Sequence, residues 1–192
     1  MQVGKDHWLQ RVRRMPSPNR DQRPDPGDIS LVVIHGISLP PGRFGGGYIE
    51  ALFQNDLDVA AHPSFTDLEG VRVSAHVLVD RRGRTTQFVA FHERAWHAGE
   101  SRWRGRRNCN DFAVGIELEG EDERAYTRAQ YARLVEVLCA LLERYPLLSP
   151  DAVVGHQEVA PGRKTDPGVA FEWRRLLASL QEKRLATQRS VS

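Results

Sequence analysis

Two histidines close apolar runs of the chain, and an aspartate follows in a nearby loop. His35 ends the run ISLVVIH (29–35), and His156 ends the shorter run DAVVGH (151–156). Asp166 lies ten positions after His156, between proline and glycine residues that allow the loop to fold back. A hydrolytic zinc ion uses three such protein ligands and keeps a fourth position open for water. The residue types and their placement therefore permit a metal site at the ends of two strands.

The histidines alone do not settle which residues would bind a metal. A histidine near a strand end is more often an ordinary hydrogen-bonded residue than a ligand. His76 lies inside a predicted strand, where it could belong to the core or could hydrogen-bond to a ligand. On residue type, five further histidines compete with His35 and His156: His7, His62, His76, His92 and His97.

Two carboxylates and a lysine are further candidates for chemistry. In GIELEG, strand alternation places Glu117 and Glu119 on one face, opposite Ile116 and Leu118. This periodicity does not distinguish the two glutamates, and both could be solvated edge charges. Lys164 precedes Asp166 by two residues and is by default a surface lysine. If it faces a metal, its ammonium group could stabilise the oxyanion formed when water attacks a carbonyl.

The elements that must position these residues indicate a single α/β domain with a mixed central β-sheet flanked by helices. Residues 1–28 are expected to form an N-terminal arm that wraps the domain, and its proline-rich part, PSPNRDQRPDPGD (16–28), is expected to form no element of its own. Gly83 is expected at the turn of a β-hairpin, and Thr127 at the N-cap of a long amphipathic helix that ends before Pro146. The predicted strands cover 29–35, 71–80, 85–91, 112–120 and 151–156, and the predicted helices begin near Tyr48, Thr127 and Phe171.

The remaining segments are interpreted as loops or tails. Residues 92–111 show no period and are predicted to form a long loop, a kind of segment that is usually functional in a compact domain. The domain is expected to span residues 1–180, and residues 181–192 are expected to form a flexible tail.

Composition limits the classes of partner. Lys and Arg number 27 and Asp and Glu 25, and a net charge of +2 is too small to argue for nucleic acid, which requires a clustered basic face. The basic runs at 11–14 and 102–107 are interpreted mainly as solvated surface charge. No segment approaches the ~20 apolar residues of a membrane span. The first residues lack an apolar signal-peptide core, and Cys109 and Cys139 are expected to be free thiols. These features predict a cytoplasmic protein that binds neither nucleic acid nor membrane.

Several ordered motifs resemble the AmpD-type 1,6-anhydro-N-acetylmuramyl-L-alanine amidases, which share the amidase and peptidoglycan-recognition-protein fold. The motifs run from the N-terminal arm to the last helix and leave out about a dozen C-terminal residues. They are PSPN, ISLPPGRFGG, RVSAHVLV, RAWHAG, CNDFAVGIELEG, AQY, GHQEVAPGRKTDPG and FEW.

The resemblance implies an enzyme with one Zn²⁺ per chain, held by His35, His156 and Asp166. It favours Glu117 over Glu119 as the catalytic carboxylate and places Lys164 beside the metal. The implied reaction is hydrolysis of the amide between the lactyl group of 1,6-anhydro-N-acetylmuramic acid and L-alanine, during cytoplasmic peptidoglycan recycling. Glu117 would act as the base, or alternatively would support a ligand histidine while another group takes the proton.

The resemblance also implies contacts to the anhydro-muropeptide substrate. Arg72, Trp96 and His97 match positions that face the substrate or form the cleft wall. Two departures affect this region: Gly36 replaces a frequent asparagine, and Asn108 replaces a frequent arginine. Arg107, or the adjacent Arg106, could take over the binding of peptide carboxylates, so Arg107 and Asn108 are included among the candidate substrate contacts.

Two other functions are compatible with the same fold. One is an amidase acting on polymeric peptidoglycan, and the other is a non-catalytic muropeptide-binding module with a broken metal site. The intact set of candidate ligands argues against the binding module. We expect a monomer.

Overall fold

The computed structural model of the protein describes residues 1–189, and a six-stranded mixed sheet forms its centre. The strands are β1 (Arg13–Arg14), β2 (Arg20–Gln22), β3 (Leu31–Ile37), β4 (Val77–Val79), β5 (Thr85–Gln87), β6 (Glu93–Ala95), β7 (Arg102–Trp103), β8 (Arg106–Arg107), β9 (Ala113–Glu119) and β10 (Val153–Gly155). The α-helices are α1 (Tyr48–Gln54), α2 (Arg128–Arg144), α3 (His156–Val159) and α4 (Trp173–Arg189). Short 3₁₀ helices cover Val59–Ala61, Pro63–Leu68, Cys109–Asp111 and Pro150–Ala152.

The strand order in the main sheet is β1-β5-β4-β9-β3-β10. Strands β4, β9, β3 and β10 are mutually parallel, and β5 runs antiparallel to β4. The hairpin predicted between β4 and β5 is therefore present. Gly83 lies in its turn with φ of 76°, a left-handed conformation that glycine adopts without a steric penalty.

Strand alternation separates the two faces of the sheet. From β3 and β9, Val32, Ile34, Val114 and Ile116 pack in one core cluster with α2 and α4. Leu31, Val33 and Ala113 join a second cluster on the other face. Because side chains alternate, His35 and Glu117 belong to this second face, away from the two long helices.

Helix α2 begins as the sequence predicts. The Thr127 side chain accepts a hydrogen bond from the Gln130 backbone N–H at 3.1 Å, and the Gln130 side chain accepts from the Thr127 backbone N–H at 3.0 Å. This reciprocal pair is a capping box, which satisfies two backbone donors at the start of the helix.

The expectation that the proline-rich part of the arm forms no element was wrong, because it contains β2, which pairs with β6. Earlier in the arm, β1 pairs with β5 at the sheet edge. The predicted 92–111 loop likewise contains β6, the β7–β8 hairpin and a 3₁₀ turn. Strands of two or three residues are too short to show a period, and those in the arm pair with partners more than 70 positions away.

Other predicted bounds differ by a few residues. The predicted strand 71–80 is regular only over Val77–Val79. The expected tail at 181–192 is helical as far as Arg189, and its last three residues lie outside the described part of the chain.

Cys109 and Cys139 are free. Within residues 1–189, no helix has the length and apolar character that crossing a membrane requires.

Candidate metal centre and active site

Neighbouring parallel strands bring the two candidate histidines together. His35 lies near the carboxyl end of β3, and His156 is the first residue after β10. Gly155 of β10 pairs with Ile34 of β3, so the two histidines leave adjacent strands at the same edge. Both are buried, at 2% and 3% exposure.

Asp166 reaches the same point from the loop after α3. Its backbone carbonyl accepts a hydrogen bond from the Gln157 N–H at 3.1 Å, which folds the loop back onto the helix. Its Oδ2 accepts from the Gly36 N–H at 3.4 Å. Burial alone raises the pKa of the Asp166 carboxyl, but hydrogen bonds from His156 and His35 outweigh burial and hold this pKa below its ordinary value.

Three donor atoms converge from these residues. His35 Nδ1 lies 2.9 Å from His156 Nδ1 and 3.3 Å from Asp166 Oδ2, and the His156 Nδ1 to Asp166 Oδ2 distance is 3.0 Å. Ligands about 2.0–2.1 Å from a tetrahedral metal are separated from one another by roughly 3.3 Å. The three residues could therefore hold a metal ion, as their types and spacing also permit. Two imidazoles and one carboxylate form a donor set that suits a hydrolytic zinc site.

The second ring nitrogen of each histidine has a partner. His156 Nε2 donates to the Ala98 carbonyl at 3.2 Å, and His35 Nε2 lies 2.9 Å from His97 Nδ1. When Nε2 carries the proton, Nδ1 presents its lone pair to a metal. Burial lowers the pKa of His35 to about 4, so its imidazole is neutral at physiological pH, as a metal ligand must be.

Glu117 and Glu119, which periodicity cannot separate, have different surroundings. The Glu119 carboxylate has a structural role, because it accepts hydrogen bonds from the backbone N–H groups of Gly45 and Arg81. Glu117 lies opposite His35 across the β3–β9 pair. Its Oε2 is buried and has no hydrogen-bond partner within residues 1–189. Burial, with the charge of Asp166 adding to it, raises the pKa of Glu117 well above its ordinary value.

Lys164 is exposed in the loop that carries Asp166. Its backbone N–H donates to the Ala160 carbonyl at 3.1 Å. Its positive charge lowers the pKa of both His35 and Glu117, as a smaller contribution than burial.

The candidate substrate contacts are divided between regions. Arg107 and Asn108 line a cleft of about 430 Å³ whose opposite wall includes Ala160 and Arg163. Arg72 lines a separate depression of about 150 Å³, so the cleft residues and Arg72 do not share one cavity. Arg106 binds Asp28 and donates to Ser30 Oγ at 3.1 Å, so of the two adjacent candidates it is Arg107 that lines the cleft, together with Arg102 and Arg163.

Trp96 and His97 follow β6, next to the metal centre. Trp96 is half-buried, and its backbone N–H donates to Ser74 Oγ at 3.1 Å. His97 contacts His35 directly through Nδ1, while its own Nε2 has no partner within the described chain. The structure thus places His97 behind a candidate ligand, a position that residue type and spacing do not reveal.

Sequence reasoning missed two residues of the site, Tyr126 and Asn110. The Tyr126 hydroxyl donates to the Pro167 carbonyl at 3.0 Å, and a Cβ atom at Gly36 would clash with its Oη atom. The space beside Gly36 is therefore filled by the tyrosine hydroxyl. The second residue is Asn110, whose side chain contacts the backbone beside His97. Neither residue belongs to a pattern that would single it out.

Comparison with known proteins identifies the family. The sequence model of the N-acetylmuramoyl-L-alanine amidase family matches residues 25–169. The chain is 52% identical over 169 residues to the 1,6-anhydro-N-acetylmuramyl-L-alanine amidase AmpD of Haemophilus influenzae, covering 88% of this chain and 92% of that protein.

Solved structures agree with the sequence match. The crystal structure of a selenomethionine derivative of AmpD superposes with a TM-score of 0.90 at 52% identity, covering 93% of this chain and 98% of the other. The Escherichia coli amidase AmiD, in complex with the substrate anhydro-N-acetylmuramic acid-L-Ala-D-γ-Glu-L-Lys, superposes with a TM-score of 0.59 at 30% identity over 80% of this chain and 58% of that one. The predicted α/β fold with a mixed central sheet is confirmed. The chain belongs to the N-acetylmuramoyl-L-alanine amidase family, as one of its AmpD-type hydrolases.

Proposed function

We propose that the protein hydrolyses the amide between the lactyl group of 1,6-anhydro-N-acetylmuramic acid and L-alanine of the stem peptide, with one Zn²⁺ bound per chain. The observation that carries the proposal is the convergence of His35 Nδ1, His156 Nδ1 and Asp166 Oδ2 within 2.9–3.3 Å of one another, beside the buried carboxyl group of Glu117. Membership of the AmpD group supports the choice of bond.

The three ligands would hold the ion at the end of β3 and β10. Zn²⁺ held there acts as a Lewis acid that polarises a carbonyl oxygen and makes water more acidic. Asp166 contributes a carboxylate rather than a thiolate, which suits a harder metal centre. With Nδ1 of each ring bound to the ion, the Nε2 atoms of His35 and His156 would carry the ring protons, and their hydrogen bonds to His97 Nδ1 and the Ala98 carbonyl would orient both rings.

Glu117 is the proposed base. Its unpartnered Oε2 would accept a proton from the attacking water and deliver it to the departing nitrogen of L-alanine. The alternative, in which Glu117 orients His35, receives less support, because Glu117 Oε1 lies 3.9 Å from His35 Nδ1, beyond hydrogen-bond distance. Lys164 favours the carboxylate form of Glu117 through its charge.

Lys164 is proposed to stabilise the developing oxyanion on the scissile carbonyl. Its side chain projects from the loop that carries Asp166 and is exposed, so it can approach a substrate lying over the metal centre.

The proposed substrate contacts are Arg72, Trp96, His97, Arg107 and Asn108. Arg107 supplies positive charge in the cleft, and the Asn108 side chain can hydrogen-bond to the peptide but supplies no charge. We therefore propose that Arg107 binds a stem-peptide carboxylate.

The proposed setting is cytoplasmic peptidoglycan recycling, with the enzyme acting as a monomer on soluble anhydro-muropeptides. Cell fractionation and light scattering of the purified protein would test these two points.

The experiment that tests the substrate class compares two substrates. Purified zinc-loaded protein is incubated with an anhydro-muropeptide and with intact sacculi, and released stem peptide is measured by mass spectrometry. We expect cleavage of the anhydro-muropeptide and little release from sacculi. Preferred release from sacculi would support the polymer-directed amidase, and binding of the muropeptide without cleavage would support a non-catalytic module.

A further inference from the structure

Two adjacent residues provide the hydrogen-bond acceptors behind both candidate ligand histidines. His97 Nδ1 lies 2.9 Å from His35 Nε2, and the Ala98 carbonyl accepts from His156 Nε2 at 3.2 Å. When His35 Nδ1 binds a metal, His35 Nε2 carries the ring proton and donates to His97 Nδ1. The orientation of both imidazoles therefore depends on where one dipeptide of the 96–100 segment lies.

The side chain of Asn110 holds this dipeptide. Asn110 Oδ1 accepts from the His97 backbone N–H at 3.1 Å and from the Ala98 backbone N–H at 2.8 Å. Two hydrogen bonds to one oxygen from consecutive N–H groups fix the position and orientation of the peptide plane between them.

Asn110 is itself held firmly. It lies in the 3₁₀ turn Cys109–Asp111, directly before β9. The buried guanidinium group of Arg23 donates to the Asn110 carbonyl at 2.9 Å, and Arg94 Nη1 pairs with Asp111 Oδ1 at 2.5 Å. These contacts fix the backbone from which the Asn110 side chain extends.

We propose that Asn110 is a positioning residue for the metal centre: through the His97–Ala98 dipeptide it orients both ligand histidines and favours the tautomer in which Nδ1 is free to bind zinc. This inference rests on the proposed zinc site and adds a residue that does not touch metal or substrate. Outer hydrogen-bond partners of ligand histidines typically contribute 10–100-fold to metal affinity.

Arg163 supports the same segment from the opposite side. Its guanidinium group donates to the Ala98 carbonyl at 2.5 Å and to the Glu100 carbonyl at 2.7 Å. Because this support remains when Asn110 is replaced, Ala98 should stay closer to its position than His97. The loss of Asn110 should therefore affect His35 more than His156.

The test compares Asn110→Leu, which removes the acceptor oxygen at similar size, with Asn110→Asp, which keeps an acceptor at the same place. The zinc Kd is measured by competition with a chromophoric chelator. We expect Asn110→Leu to bind zinc about 10–100-fold more weakly and Asn110→Asp to bind near the wild-type value. Asn19→Leu is the control, since the buried Asn19 side chain donates to the Val73 carbonyl at 2.8 Å and makes no hydrogen bond to the 97–98 segment. It should lower thermal stability without changing the zinc Kd.

A second measurement tests the inference in the wild type as well as in the variant. In the zinc-loaded wild type, the Nε2 protons of His35 and His156 should give proton NMR resonances protected from solvent exchange, and in Asn110→Leu the His35 resonance should lose most protection. Rapid exchange of both protons in the wild type would overturn the inference, as would an unchanged zinc Kd in folded Asn110→Leu. A wild-type protein that binds no zinc would instead overturn the proposed function, so the two failures are distinguishable.

Discussion

The His97 ring packs directly against Gly115 of β9. A side chain at position 115 should therefore displace this ring and disturb the metal centre. Gly115 lies opposite Val33 of β3. A Cβ atom built on Gly115 would lie 2.6 Å from His97 Cδ2 and 2.7 Å from His97 Nδ1. Ordinary contacts between such atoms are about 3.5–4.0 Å. In Gly115→Ala the His97 ring must therefore withdraw from β9 by roughly 1 Å.

The expected loss of zinc affinity follows from the hydrogen bond between the His97 ring and His35. The His35 Nε2 to His97 Nδ1 distance is 2.9 Å, and a shift of that size stretches or misaligns the bond beyond its useful range. Loss of a partner behind a ligand histidine lowers metal affinity about 10–100-fold, or roughly 1.4–2.7 kcal/mol. Overpacking adds a stability loss of about 1–3 kcal/mol.

Two assays separate these effects. Zinc titration of the metal-free protein measures affinity, and denaturant unfolding of the same sample measures stability. Gly27→Ala is the control, because Gly27 is exposed and its added Cβ would meet the Asp25 carboxylate tip at 3.3 Å. It should leave zinc affinity unchanged. A folded Gly115→Ala protein with wild-type zinc affinity would refute the reasoning.

Three further substitutions test the proposed roles. Glu117→Gln should lower kcat by about 10²–10⁴-fold while zinc stays bound. Near-wild-type turnover would eliminate Glu117 as the base. The control Glu119→Gln should mainly destabilise the fold, because the Glu119 carboxylate accepts hydrogen bonds from two backbone N–H groups. Lys164→Ala should lower kcat by about 10²–10³-fold with zinc retained, and loss of zinc would contradict the oxyanion role. Arg107→Ala should raise KM with little change in kcat, whereas Arg106→Ala, which breaks a pair with Asp28, should leave KM unchanged. Equal effects of the two arginines on KM would argue against the assignment of Arg107 to the cleft.

Long, regular elements could be predicted from the sequence. The apolar run before His35 and the Thr127 cap each carry a local signal, and both are confirmed. Strands β2 and β6 have three residues each, and the partner of each is remote in the chain. Pairing of that kind leaves no period in the sequence.

Some residues of the candidate site could likewise be predicted from the sequence, and others could not. Residue type and placement made His35, His156 and Asp166 candidates among other residues, and the family resemblance selected these three as the ligands. Only the packing reveals that the Glu119 carboxylate is occupied by backbone N–H groups and that Glu117 Oε2 has no partner in the described chain. The role of Asn110 depends on two hydrogen bonds to residues 12 and 13 positions earlier, which no local pattern encodes.

The most direct test of zinc-dependent amide hydrolysis is a titration of Zn²⁺ into the metal-free protein, with anhydro-muropeptide cleavage followed at each addition. The ligand set of His35, His156 and Asp166 predicts that activity is absent after chelation, rises linearly with added zinc and reaches its plateau at one ion per chain. Cleavage that persists without metal, or a protein that binds one zinc and releases no L-alanyl peptide, would contradict the account.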